Sequence, residues 1–175
     1  MTHTLVALVQ DRPGVLNRVV SLFRRRGFNI ESLAVGHSET PGVSRMTMVI
    51  EAPDVEQVVK QLYRLIEVLK VTDVTDEQTV ERETVLMKLH APSAQRAEIM
   101  AQTTVFGAQV ADAGTNTMII ELTAAPAKVD TFIETVRPFG IKELTRTGRI
   151  AMMRGAQGVQ APAPLAELTN GHVPA

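Results

Sequence analysis

Apolar positions along this chain switch repeatedly between a run or alternation suited to strands and a spacing suited to helices. Leu5-Val6-Ala7-Leu8-Val9 is short, apolar and partly β-branched, and residues 4–10 read as a buried strand. Asp11-Arg12-Pro13-Gly14 breaks that run, and Pro13 suits the first turn of a helix. Val15, Leu16, Val19, Leu22 and Phe23 then recur at helical spacing, with Asn17, Arg18, Ser21 and Arg24 on the other side. Gly27 ends that helix as a C-cap. Residues 28–37 read as a second strand, and Thr40-Pro41-Gly42 is a turn signal. Met46, Met48 and Ile50 alternate with Arg45, Thr47 and Glu51, which predicts a half-buried third strand. Asp54 with Gln57 reads as an N-cap and capping box. Val55, Val58, Val59, Leu62 and Ile66 form the stripe of a second helix, and residues 68–74 a fourth strand. The order β-α-β-β-α-β is that of a ferredoxin-like split βαβ unit.

The same order then returns. Thr84–Ala91 is strand-like, and Ser93 can cap a helix running to about Thr104. Gly107–Ala113, a turn near Gly114-Thr115, and Thr117–Thr123 suggest a hairpin. Pro126 opens a helix with Val129, Phe132, Ile133 and Val136 on one face, and Ile141–Thr145 supplies a last strand. The expected class is α+β: two ferredoxin-like βαββαβ domains over residues 1–77 and 78–154, joined near Asp76–Arg82. Each sheet is expected to be antiparallel, with both helices on one face. From Gly155 to Ala175 the chain is dominated by Gln, Ala, Pro and Gly. So few large apolar groups cannot offset the ordering entropy, and residues 155–175 are expected to be mostly disordered.

Composition narrows the function classes. Of 175 residues, 45% are hydrophobic, enough for a real core, while only 3% are aromatic, with no Trp and Tyr63 as the single Tyr. Stacking platforms for bases are therefore not expected. A net charge of -1 draws the chain to neither nucleic acid nor a membrane surface. There is no Cys, which excludes disulfides, thiolate chemistry and Cys-based metal sites. With no apolar stretch of membrane-spanning length and no signal-peptide pattern, a cytoplasmic protein is expected.

Three motifs carry candidate chemistry. At Asp11–Leu16 a strand ends and a helix begins, so amides near Gly14, Val15 and Leu16 lack intrahelical acceptors. Those amides and the helix dipole suit a carboxylate, and Asp11 or the amide of Asn29 could meet an ammonium group. On these residues alone the bend reads first as a tight strand-to-helix connection that uses Pro and Gly for geometry. Arg24-Arg25-Arg26 reads either as a phosphate patch or as the solvated C-terminal end of a helix. Ser44-Arg45 reads either as a partner-facing edge or as a hairpin exit. The four His, at 3, 37, 90 and 172, show no metal-ligand spacing, and no P-loop, nucleophile elbow or Gly-x-Gly-x-x-Gly is present. Neither catalytic nor metal-binding residues are assigned. RNA-recognition domains share the element order but need aromatics on the central strands, and residues 43–50 hold none. A small enzyme of ferredoxin-like fold is not excluded by fold alone.

The run Asp11-Arg12-Pro13-Gly14-Val15-Leu16-Asn17-Arg18-Val19, followed by Arg26-Gly27-Phe28-Asn29-Ile30-Glu31-Ser32-Leu33, resembles the ACT domain of the acetolactate (acetohydroxyacid) synthase small-subunit family. Ser44-Arg45-Met46-Thr47-Met48, the stretch 60–71, and Val80-Glu81-Arg82-Glu83 are similar to the same family, and the likeness covers about residues 3–154. The resemblance implies an N-terminal ACT domain, a C-terminal ACT-like domain, and a regulatory subunit without catalysis of its own. It implies a catalytic large-subunit partner carrying thiamine diphosphate, a divalent metal and FAD, with no cofactor on this chain. It implies activation of that partner and feedback inhibition in branched-chain amino-acid synthesis, commonly by valine. ACT domains of two chains are expected to pair edge to edge with the effector at the seam. There Asp11, Gly14, Val15 and Leu16 of one chain would face Asn29 and Ile30 of the other. Asp11 departs from the Asn usual in the family, so effector identity and affinity are left open. The competing reading is a stand-alone amino-acid-binding module serving some other enzyme.

Overall fold

A computed structural model describes residues 1–160 of the chain. They form β1 (Thr2–Gln10), α1 (Val15–Arg26), β2 (Asn29–His37), β3 (Val43–Glu51), α2 (Val55–Leu62) and β4 (Val68–Asp73). There follow β5 (Thr79–His90), α3 (Ser93–Phe106), β6 (Gln109–Ala113), β7 (Thr117–Ala124), α4 (Pro126–Val136), β8 (Ile141–Arg146) and β9 (Ile150–Met153). The chain divides into two compact units. One holds Met1–Val80 and, of the described residues, 151–160; the other is Glu81–Ile150. Residues 151–160 pack with the first unit. Most of the 155–175 expectation lies outside the described residues, though Val159 within it is buried.

In the first unit the strand order is β2-β3-β1-β4, antiparallel throughout. Side chains of a strand point alternately to opposite faces, which explains the unbroken apolar run in β1. Leu5, Ala7 and Val9 join Met46, Met48 and Ile50 of β3 beneath α1 and α2. Val6 and Leu8 turn the other way and meet Val43, Val74, Ala151 and Val159. The expected half-buried β3 is therefore covered on both faces: Thr47 and Val49 are as inaccessible as Met46.

Arg45 on that reverse face donates to the carbonyls of Ala151 at 3.0 Å and Val159 at 3.2 Å. Burial lowers its pKa from the ordinary value, against an opposing pull from Glu39. The Arg154 amide continues the attachment, donating to the Gln78 carbonyl at 2.8 Å.

α1 buries Val15, Val19, Leu22 and Phe23 and stops at Gly27, whose φ of 70° is open to glycine at little cost. α2 is N-capped as expected, the Asp54 carboxylate accepting from the Gln57 amide at 3.2 Å. It ends at Leu62, four residues before Ile66, which is 83% exposed and lies off the expected stripe. Tyr63 follows. Its hydroxyl donates to the Val71 carbonyl at 3.2 Å and accepts from the Val71 amide at 3.0 Å. Both groups belong to the outer side of edge strand β4, so one side chain occupies a main-chain position where another strand would pair.

The second unit has the strand order β6-β7-β5-β8. Here alternation is clean: Val85, Met87 and Leu89 are inaccessible while Thr84, Leu86 and Lys88 face outward. Phe132 and Ile99 close the core from α4 and α3. Ser93 is the first residue of α3 and gives no side-chain cap. Arg96 secures that corner instead, donating to the carbonyls of Ala91 at 3.1 Å, Thr115 at 2.8 Å, and Gly114. Glu83, buried in β5, accepts two bonds from Arg146 of β8 at 2.8 and 2.5 Å.

Two outcomes follow from this packing. Arg45→Met keeps the apolar stem but removes both donors to the 151–160 segment. It is expected to lower unfolding stability by about 2 kcal/mol in chemical denaturation followed by circular dichroism. A loss under roughly 0.5 kcal/mol would show that apolar contacts alone hold the segment. Tyr63→Phe frees the Val71 groups and is expected to add a larger, concentration-dependent species in sedimentation velocity. An unchanged distribution at high concentration would remove the edge-guarding role from Tyr63.

Candidate functional site

The bend between β1 and α1 is built by three main-chain bonds and one glycine. The Asp11 amide donates to the Gly42 carbonyl at 2.8 Å, tying the bend to the β2–β3 hairpin. The Arg12 amide donates to Gln10 at 3.0 Å, and the Val15 amide to Arg12 at 3.4 Å. Gly14 takes φ 87° and ψ -11°, a left-handed conformation that L side chains rarely adopt. A Cβ there would meet nothing within 4 Å, so the requirement is conformational rather than one of space.

α1 begins at this bend with no side-chain cap and no acidic residue in its first turn. Its N-terminal partial charge is thus uncompensated from within the helix, which favours an anion there. The Val15 amide is spent inside the bend, so the amides free to face a ligand narrow to those of Leu16 and its neighbours. Val15 itself is buried in the core and offers no side chain to the surface, whereas Leu16 is 44% exposed. Asp11 is exposed, and its Oδ2 lies 3.0 Å from Nδ1 of His37 at the end of β2. His37 carried no role in the sequence reading. The strand order could have revealed it: β1 and β2 flank β3, with Gln10 opposite Val43 and His37 opposite Ser44.

Asn29 and Ile30 lie elsewhere. They pair with Glu51 and Ile50 at the far end of β3. Seven positions separate Val43 from Ile50, a run of about 23 Å along a strand. One chain therefore brings Asp11, Gly14 and Leu16 together with His37, and leaves Asn29 and Ile30 at the opposite end of the sheet. β2 is also an edge strand over all nine of its residues, Asn29–His37.

Comparison with known proteins agrees with the architecture. Residues 5–70 match the model of the AHAS small subunit-like ACT domain, and residues 82–155 that of the small subunit of acetolactate synthase. A probable acetolactate synthase small subunit of Archaeoglobus fulgidus is 53% identical over 157 residues, covering 89% of this chain and 98% of that one. The acetolactate synthase small subunit of Mycolicibacterium smegmatis is 43% identical over 162 residues, covering 91% and 95%. The crystal structure of the acetolactate synthase small subunit from Thermotoga maritima superposes with a TM-score of 0.83 at 40% identity, covering 90% of this chain and 99% of that one. With two matched models spanning both units and relatives covered almost end to end, the chain belongs to the acetolactate synthase small-subunit family, its first unit being an ACT domain.

Proposed function

We propose that this regulatory chain works as a homodimer, cytoplasmic like the synthesis it controls, that binds a branched-chain amino acid, valine in the first instance, where two ACT domains meet. The observation that carries the reading is the division of the candidate residues between the two ends of one sheet. Antiparallel pairing of β2 with its copy about Leu33 would set Asn29 opposite His37 of the partner subunit. His37 is already bonded to Asp11 within its own chain. A two-fold axis therefore assembles two complete sites from four half-sites, each with free amides at the start of α1 for the carboxylate. Asp11 supplies a negative group for the ammonium, and Ile30 an apolar wall for the side chain. The edge available for pairing is β2, because Tyr63 occupies β4 at Val71.

The dimer would then act on a catalytic large subunit carrying thiamine diphosphate, a divalent metal and FAD. It would raise that subunit's activity when empty and lower it when liganded. A ligand shifts such an equilibrium only by its differential affinity for the two states. Couplings of about 1–3 kcal/mol, or roughly 5- to 150-fold, lie within reach of one zwitterion gripped from two chains.

The test is reconstitution with the cognate large subunit, with valine titrated into the acetolactate-forming assay. Gly14→Asp is expected to abolish inhibition while leaving stimulation of the large subunit intact. Gly14→Asn separates the causes, since Asn tolerates positive φ and adds no charge. It should retain inhibition at raised valine concentration. If both variants respond like the parent, the bend is not the effector site. Asp11→Asn removes the charge from the ammonium contact and should weaken valine roughly fivefold, a loss of about 1 kcal/mol. Tighter binding would instead place the effector carboxylate beside residue 11.

A further inference from the structure

At the far end of α1 from the bend, the structure holds a cleft of about 350 Å³ lined by Leu22, Arg25, Arg26, Gln61, Arg64 and Leu65. The cleft lies where the last turn of α1 meets the end of α2 and the turn after it. Arg26 Nη2 donates to Oε1 of Gln61 at 3.0 Å, which bridges the two helices and fixes one guanidinium at the rim. No acidic side chain lines the cleft. Among the described residues, none of Arg25, Arg26 and Arg64 pairs with a carboxylate. Elsewhere Arg18, Arg137, Arg146 and Arg149 do, while Arg45, Arg82, Arg96 and Arg154 donate to main-chain carbonyls.

Helix ends explain only part of this charge. Each helix C-terminus carries a partial charge of about -0.5, so two of them offset roughly one of the three positive charges. About two positive charges are left facing one concave volume. Volume and charge together suit a compact polyanion. Guanidinium groups bind phosphate oxygens bidentately, and several can share one phosphate chain. No aromatic residue lines the cleft, so nothing there can stack on a base. A flat acidic protein surface would leave the concavity unfilled, which favours a small ligand over a partner chain.

We propose that this cleft is an anion site for a diphosphate group, free or carried by a small phosphorylated metabolite. Arg25, Arg26 and Arg64 bind the phosphate oxygens, and Leu22 and Leu65 form the floor. Occupancy relieves the repulsion among the three cations and ties α1 to α2. The site lies at the opposite end of α1 from the amino-acid bend and stands whether or not that bend binds valine.

The test uses the full chain and inorganic diphosphate, followed by isothermal titration and thermal unfolding at fixed ionic strength. Monophosphate, chloride and ADP serve as comparisons. Diphosphate should bind saturably and raise the unfolding temperature, with monophosphate weaker by roughly tenfold. ADP, sharing the diphosphate, should match it within a few-fold. The double variant Arg25→Gln/Arg64→Gln should lose at least about tenfold in affinity, whereas Arg24→Gln, outside the lining, should not. These arginines are exposed, so circular dichroism is expected to show an unchanged fold. Diphosphate behaving like chloride would overturn the proposal, as would equal losses in Arg24→Gln, which mark diffuse screening. A double variant that binds diphosphate normally but is no longer retained by the catalytic subunit would make the cleft a docking face and equally overturn it.

Discussion

The register between β1 and β3 is the constraint on which the ACT domain's geometry rests. All nine residues of β1 find partners, from Thr2 opposite Glu51 to Gln10 opposite Val43. Because β2 pairs the other side of β3, that one register also places the end of β1 beside the end of β2. Asp11 meets His37 for this reason, although 26 residues separate them in sequence. Shifting the pairing by one residue would turn Leu5, Ala7 and Val9 out of the core and move the bend away from the hairpin that holds it. The Asp11 amide bond to Gly42 depends on the same alignment. Core and site thus share a single determinant, and a core substitution that alters strand alignment would be felt at the bend without touching it.

Much of this was readable in the chain because local and long-range signals agree. Gly27 and Gly107 both end helices with positive φ, and Pro126 begins one. The alternation of β5 and β7 reports a sheet with one buried face, and that is how the second unit is packed. Reading failed where a residue's environment depends on a distant segment. Thr47 looked solvent-facing by alternation, yet the reverse face of its sheet is covered. Ile66 looked like the next residue of a helical stripe, but the helix stops after Leu62 and the chain turns through bonds from Arg64 to Gln61 and from Leu65 to Leu62. Ser93 looked like a cap, but the corner is held by Arg96 reaching carbonyls at 91, 114 and 115. At the site, the bend was legible because Pro13 and Gly14 carry local geometry. His37 was not, since its contact with Asp11 exists only through strand order.

The covering segment shows how a small domain acquires a second buried face. Ferredoxin-like sheets place both helices on one side, so the reverse side must either be polar or be covered. Val6, Leu8, Val43 and Val74 are not polar, and Ala151 and Val159 cover them. Neither residue is large, so the apolar area each buries is modest. Arg45 compensates by offering its donors to two carbonyls that would otherwise compete for water. A chain ending before residue 151 would expose an apolar strip beside a guanidinium that had lost both partners. The composition of the 155–160 stretch hides this, since Gly, Ala and Gln flank the single buried valine.

The two edges of the first sheet are treated unequally, and that asymmetry bears on the proposed pairing of two copies. An exposed edge invites pairing unless bulges, charges or side chains obstruct it. β4 is short, and the Tyr63 hydroxyl sits on both main-chain groups of Val71. β2 is longer, contains no proline, and has its one irregularity between Ile30 and Ser32, close to its beginning. The remaining stretch from Leu33 to His37 is regular and includes exposed Val35. Were both edges open, chains could add at either side and grow into an extended sheet. With β4 obstructed, the proposed association through β2 would close after two copies, because a two-fold pairing consumes the open edge of each. In the proposed dimer the bulge near Ile30 would offset the strand where the amino-acid seam forms, interrupting a ladder that backbone would otherwise fill.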